Sequence, residues 1–228
     1  MFFDFRLLIF TAPALLLMIW AQYRLRSTYA AGMKVRAPLS GAAAAQHILE
    51  QAGVDDVGIE MTHQHLGDHY DPAARMLRLS PEVYEGRTAT AVGIAAHEAG
   101  HALQHAQGYA LLSLRNAAVP AAQFGPMIFM GMVILGVVLS QPRFLMLGLI
   151  AYSGLVVFQL INLPVEFDAS ARAKRHLADL GIVDDEGALA VRKVLTAAAL
   201  TYVAATLESL LTVIYYFMRF SGSNQSDD

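Results

Sequence analysis

His97, Glu98 and His101 stand in the run HEAGH, inside GIAAHEAGHALQ at residues 93–104. On a helix, residues four apart lie one turn above each other on a single face. The two imidazoles can therefore grip one metal ion, while the glutamate beside the first histidine points toward the open coordination position. The chemistry this implies is hydrolysis by a zinc-activated water, with one catalytic Zn2+ and Glu98 as general base. The bland alternative is an alanine-rich core helix whose histidines happen to sit one turn apart. A helix is expected from a cap at Thr88 to about Gln107, with Gly108 as terminator. Ala91, Ala95, Ala99 and Ala102 keep its turns slim, so a second helix can approach closely.

The rest of the chain must hold that helix, and its composition places it in a membrane. Of 228 residues, 56% are hydrophobic and 15% charged, against about half and a quarter in ordinary soluble domains. With no cysteine, any metal must be held by His, Asp, Glu or water. A formal charge of -3 and the lack of a basic run with interleaved aromatics argue against a nucleic-acid partner. Four uncharged or nearly uncharged stretches read as spans: Leu7 to Tyr23, Asn116 to Pro142, Phe144 to Val165, and Val194 to Met218. The first has no clear small-x-small cleavage site after it and reads as an uncleaved anchor rather than a signal peptide. The fourth is interrupted by Glu208, an acid of the kind that faces a bundle interior or wet cavity.

Basic residues orient these spans. Thirteen, namely Arg24, Arg26, Lys34, Arg36, Arg75, Arg78, Arg87, Arg115, Arg172, Lys174, Arg175, Arg192 and Lys193, fall in the loops on one side, against Arg6, Arg143 and Arg219 on the other. The positive-inside pattern puts the large loop in the cytoplasm and both termini outside. Within that loop, Ser40 caps an expected helix over 41–52, ended by Gly53. Val57, Ile59 and Met61 alternate as a strand, and Arg75 to Leu79 reads as a second, available for edge pairing with an extended substrate or simply an ordinary sheet strand. The turn-rich GDHYDP lies between them, and Ser80, Pro81 and Glu82 open a short helix.

Two histidines leave a hydrolytic zinc site one ligand short. His105 lies eight residues beyond His97, about two turns away and rotated by roughly 80°, and suits a surface or supporting role. Gln104 and Gln107 occupy the positions where a metzincin would carry Gly and its third His. Glu166, in NLPVEFDAS at 162–170, is the better candidate. Two crossings separate it from HEAGH, so it returns to the same membrane side. Ser170, one turn on, shares its face and could support it. The alternative for Glu166 and Asp168 is a pair of acids solvating a helix start.

Several runs together, DHYDP at 68–72, LRLSPEVY at 77–84, AAHEAGHALQHA at 95–106, NLPVEFDAS at 162–170 and ALTYVAA at 199–205, resemble the neutral zinc metallopeptidases of bacterial membranes, the YugP-like group. The resemblance spans most of the chain. It implies a membrane zinc peptidase with His97, His101 and Glu166 as ligands and Glu98 as catalytic base. More distantly the chain is similar to the HtpX and CAAX-protease gluzincins, whose pattern has Glu, two variable residues, Ala and Asp; Ser170 stands where that Asp would fall.

The expected architecture is a mainly α membrane protein with about four transmembrane helices and a small α+β, zincin-like domain carrying the HExxH helix. Its parts are an anchor (1–26), a cytoplasmic metallopeptidase domain (27–115), a transmembrane hairpin (116–165), a cytoplasmic helix with the third ligand (166–193), a fourth membrane helix (194–219) and a disordered tail (220–228). Oxyanion-stabilising candidates are His63, His65, His69, Tyr70, Tyr202 and Arg172, and His63 and His65 share a strand face that could hold a second ion. The expected partners are the bilayer of the bacterial cytoplasmic membrane and a membrane-protein or peptide substrate; no residue pattern marks a regulatory membrane subunit. Of the rival readings, a site-2-type intramembrane protease would need a Leu-Asp-Gly motif, which is absent. A zinc transporter would place histidines within its crossings, where none lie. A non-catalytic zinc scaffold would keep the ligands without needing Glu98.

Overall fold

The computed structural model describes residues 5–62, 67–141 and 143–223. It is mostly helical, with the order α1 (Phe5–Gly32), α2 (Gly41–Gln51), β1 (Gly58–Met61), β2 (His69–Asp71), β3 (Met76–Leu79), α3 (Pro81–Tyr84), α4 (Ala89–Ala106), α5 (Ala110–Val138), α6 (Arg143–Asp179) and α7 (Asp185–Ser223). The helices α1, α5, α6 and α7 are long and apolar enough to cross a membrane. The chain forms two compact units: residues up to 21, 114–163 and from 200 make one, and residues 22–113 and 164–199 the other.

The first unit exposes large apolar side chains, among them Ile9, Ile19, Met127, Val138, Ile150 and Phe217, as helices surrounded by lipid do. Phe129 packs between Tyr152 and Tyr216 at ring distances of 5.3 and 5.5 Å. Its polar groups bond within the unit: Ser209 Oγ donates to Gln159 Oε1 (3.1 Å) and Thr212 Oγ1 to Glu208 Oε1 (3.2 Å).

The second unit has its own apolar core. Ile48 and Leu49 of α2, Leu77 and Leu79 of β3, Val92, Ala95, Ala99 and Leu103 of α4, and Ala173 and Leu177 of α6 are all buried in one cluster. The caps form as expected. Thr88 accepts from the Ala91 N–H and Ser40 from the Ala43 N–H, while Gly53 and Gly108 take left-handed φ of 68° and 64°, which only glycine adopts without strain.

Three features differ from the sequence reading. DHYDP is not only a turn: His69–Asp71 is a strand antiparallel to β3, so the sheet order is β1-β3-β2, with β1 and β3 parallel. Consequently Met76–Leu79 is the central strand, both its edges are paired, and substrate cannot add to it. Arg78 pins the sheet, donating to Glu60 Oε1 of β1 (2.7 Å) and Asp71 Oδ2 of β2 (2.5 Å). Residues 166–193 are not one helix but the end of α6 and the start of α7, joined by a turn at Gly181, φ 62°. Finally, α7 continues to Ser223, so the first four residues of the expected disordered tail, 220–223, are helical.

Candidate metal centre

The centre is assembled by two helices of one unit. Helix α4 carries His97, Glu98 and His101, and α6 carries Glu166 and Ser170 one turn apart. What lets them meet is Gly100, inside HEAGH: a Cβ there would lie 2.7 Å from the Ala169 carbonyl oxygen, closer than packed atoms tolerate, so the glycine permits the α4–α6 crossing at this height.

His97, His101 and Glu166 each offer a ligand atom, all within 4.8 Å of one another. His97 Nε2 is 3.2 Å from Glu166 Oε2, and His101 Nε2 is 3.8 Å from Glu166 Oε1. Tetrahedral zinc with bonds of 2.0–2.1 Å spaces its ligand atoms about 3.3 Å apart, so the triangle is of zinc size. The outer ring nitrogens are engaged elsewhere: His97 Nδ1 lies 3.1 Å from Ser170 Oγ, and His101 Nδ1 3.0 Å from Gln104 Oε1. Both imidazoles thus turn Nε2 toward Glu166, and the bonds at Nδ1 hold the rings in that orientation. The rings stand edge to face at 81°. This donor set fits zinc.

Glu98 is 9% exposed, and its Oε2 accepts from the Tyr70 N–H of β2 at 3.1 Å. Burial pushes its carboxyl up to about 7; His97 opposes the rise, while Glu166 and Asp68 add to it. Burial pushes the His97 imidazole down, but the Glu166 and Glu98 carboxylates outweigh it and hold it above its ordinary value. Asp68 anchors the start of β2 by accepting from the Ser80 N–H (2.7 Å) and hydroxyl (3.0 Å).

The other candidates are placed as follows. His105 is outside the cluster and bonds the Tyr70 hydroxyl through Nδ1 at 2.7 Å. His69 Nδ1 sits 2.6 Å from the Gly67 carbonyl. Arg172 donates to Asp168 Oδ2 and Gln107 Oε1, both at 2.5 Å, so its guanidinium is committed away from the ligands. Tyr202 and Glu208 belong to the other unit, and His63 and His65 lie outside the described residues. Tyr70 reaches the centre, but through its backbone rather than its phenol. Ser170 differs from its expected place: its hydroxyl supports His97, across the helix pair, where the sequence put it behind Glu166. Gln104, which the sequence marks only as a departure from the metzincin pattern, bonds His101, and its spacing of three from that residue on one helix face is the signal that could have found it.

The sequence profile of a family described as "Putative neutral zinc metallopeptidase" matches residues 7–221, and the chain belongs to that family. It is 43% identical over 216 residues to the "Putative membrane protease YugP" of Bacillus subtilis (strain 168), covering 92% of this chain and 94% of that protein. No solved structure matches it.

Proposed function

We propose that this protein is a membrane-anchored zinc endopeptidase with His97, His101 and Glu166 as ligands and Glu98 as general base. The observation that carries the reading is the convergence of three ligand atoms within 4.8 Å beside a buried glutamate on the same helix as two of them. Zinc bound there supplies Lewis acidity toward the scissile carbonyl and an activated water. Glu98 is held by the Tyr70 N–H at Oε2, which leaves Oε1 to take a proton from the attacking water and return it to the departing amine nitrogen. Ser170 and Gln104 hold the two imidazoles so that neither rotates as charge develops. A non-catalytic zinc scaffold would have no use for a buried carboxylate aimed in this way.

The four apolar helices support membrane anchoring, and the distribution of Lys and Arg supports a cytoplasmic catalytic unit with both termini outside. The substrate class is membrane proteins or peptides at that surface. The test is purification of wild type and Glu98→Gln in detergent with a quenched peptide library. Cleavage by wild type and at least about 100-fold less by Glu98→Gln, at equal zinc content, is expected; equal cleavage by both would remove Glu98 from its role. Membrane proteomics of cells expressing each form then identifies substrates as the proteins that accumulate with Glu98→Gln.

A further inference from the structure

Gln104 is fully buried on α4, one turn past His101, and makes three hydrogen bonds that fix its amide in one orientation. Its Nε2 donates to the Val165 carbonyl and to Asp168 Oδ2, each at 2.8 Å. Asp168 Oδ2 in turn accepts from Arg172 Nε at 2.5 Å. Two acceptors on one side therefore force the amide NH2 toward α6 and the amide oxygen toward His101. An amide oxygen can only accept. At 3.0 Å from it, His101 Nδ1 must carry a proton, so in the neutral ring Nε2 keeps its lone pair toward Glu166.

We infer that Gln104 is a positioning residue of this centre: it locks His101 in the Nδ1-protonated tautomer and ties the turn of α6 that bears Glu166 to α4. The inference rests on the reading of His97, His101 and Glu166 as zinc ligands. The two histidines differ in this respect. The Ser170 hydroxyl at His97 Nδ1 can donate or accept and forces no tautomer, whereas the line Arg172, Asp168, Gln104, His101 dictates one. It also joins both ligand-bearing helices through a single side chain, since Val165 immediately precedes Glu166.

The test combines zinc affinity with a direct reading of the ring proton. In zinc-free, 15N-histidine-labelled protein in micelles, at a pH where the ring is neutral, wild-type His101 is expected as the Nδ1–H tautomer. Gln104→Met, close in volume but without either bond, is expected to shift His101 toward Nε2–H and to weaken Zn2+ binding by about 10- to 100-fold, measured by competition with a fluorescent chelator. Gln104→Glu keeps an acceptor for Nδ1–H but sets an oxygen against the Val165 carbonyl and Asp168 Oδ2, so it is expected to retain the tautomer while losing the tie to α6. Wild-type His101 as Nε2–H would overturn the inference whether or not any variant folds. So would Gln104→Met with unchanged tautomer and affinity, provided His97→Ala loses zinc; if His97→Ala keeps its zinc, the ligand assignment and the inference fall together.

Discussion

At the scale of single residues, the centre divides its labour between groups that would touch the ion and groups that hold those groups still. Glu98→Gln preserves an acceptor for the Tyr70 N–H and leaves the ligands intact, so zinc content and the melting transition are expected to be unchanged. Peptide cleavage is expected to fall by about 10²- to 10⁴-fold, the share general-base catalysis supplies. Ser170→Ala leaves His97 Nδ1 without its hydroxyl partner; zinc affinity is expected to drop by at least about 10-fold, read by the chelator competition. An unchanged affinity would make the Ser170 contact incidental.

At the scale of elements, the site depends on how closely α4 meets α6. Gly100→Ala puts a methyl group against the Ala169 carbonyl, and overpacking of this kind costs about 1–3 kcal/mol. The expected result is a lower unfolding midpoint together with weaker zinc binding, because the displacement separates His101 from Glu166. Arg78 fixes β2, the strand whose backbone holds Glu98. Its bond to Asp71, with support from the Ala74 and Ala73 N–H groups, lowers the Asp71 carboxyl below its ordinary value. A carboxylate depressed on folding adds stability above its unfolded pKa and loses it as pH falls through the folded one. Wild type is therefore expected to lose its margin over Asp71→Asn as pH drops below the ordinary carboxylate range, seen in paired acid-unfolding curves; parallel curves would remove Asp71 from that role. The helices were legible because their signals are local: Thr88 and Gly108 bracket α4, and Ser40 and Gly53 bracket α2. β2 was not, because Gly67, Asp68, Asp71 and Pro72 all read as turn residues, and three residues become a strand only by pairing with β3. The contacts of Ser170 with His97 and of Gln104 with Val165 are hidden for the same reason: each crosses to the other helix, more than sixty residues away in sequence, where spacing carries no information; only the Gln104–His101 contact, three residues apart on α4, was within reach of spacing.

At the scale of the whole molecule, four helices long and apolar enough to cross a membrane accompany a unit that carries the candidate metal centre. Counting crossings points to Glu166 as the proposed third ligand, and Glu166 lies beside His97 and His101 on a helix, α6, that also carries the apolar stretch. The side on which the chemistry occurs rests on the Lys and Arg count alone. A cysteine introduced at position 141 is expected to react with an impermeant reagent in intact cells, and one at position 55 to react only after lysis. The reverse pattern would place the catalytic unit outside.

The claim on which the rest depends is that His97, His101 and Glu166 hold one zinc ion. Elemental analysis of purified wild type, Glu98→Gln and Glu166→Ala tests it most directly. One zinc per chain in the first two and almost none in the third is the expected result. Full zinc content in Glu166→Ala, with the protein folded, would contradict it.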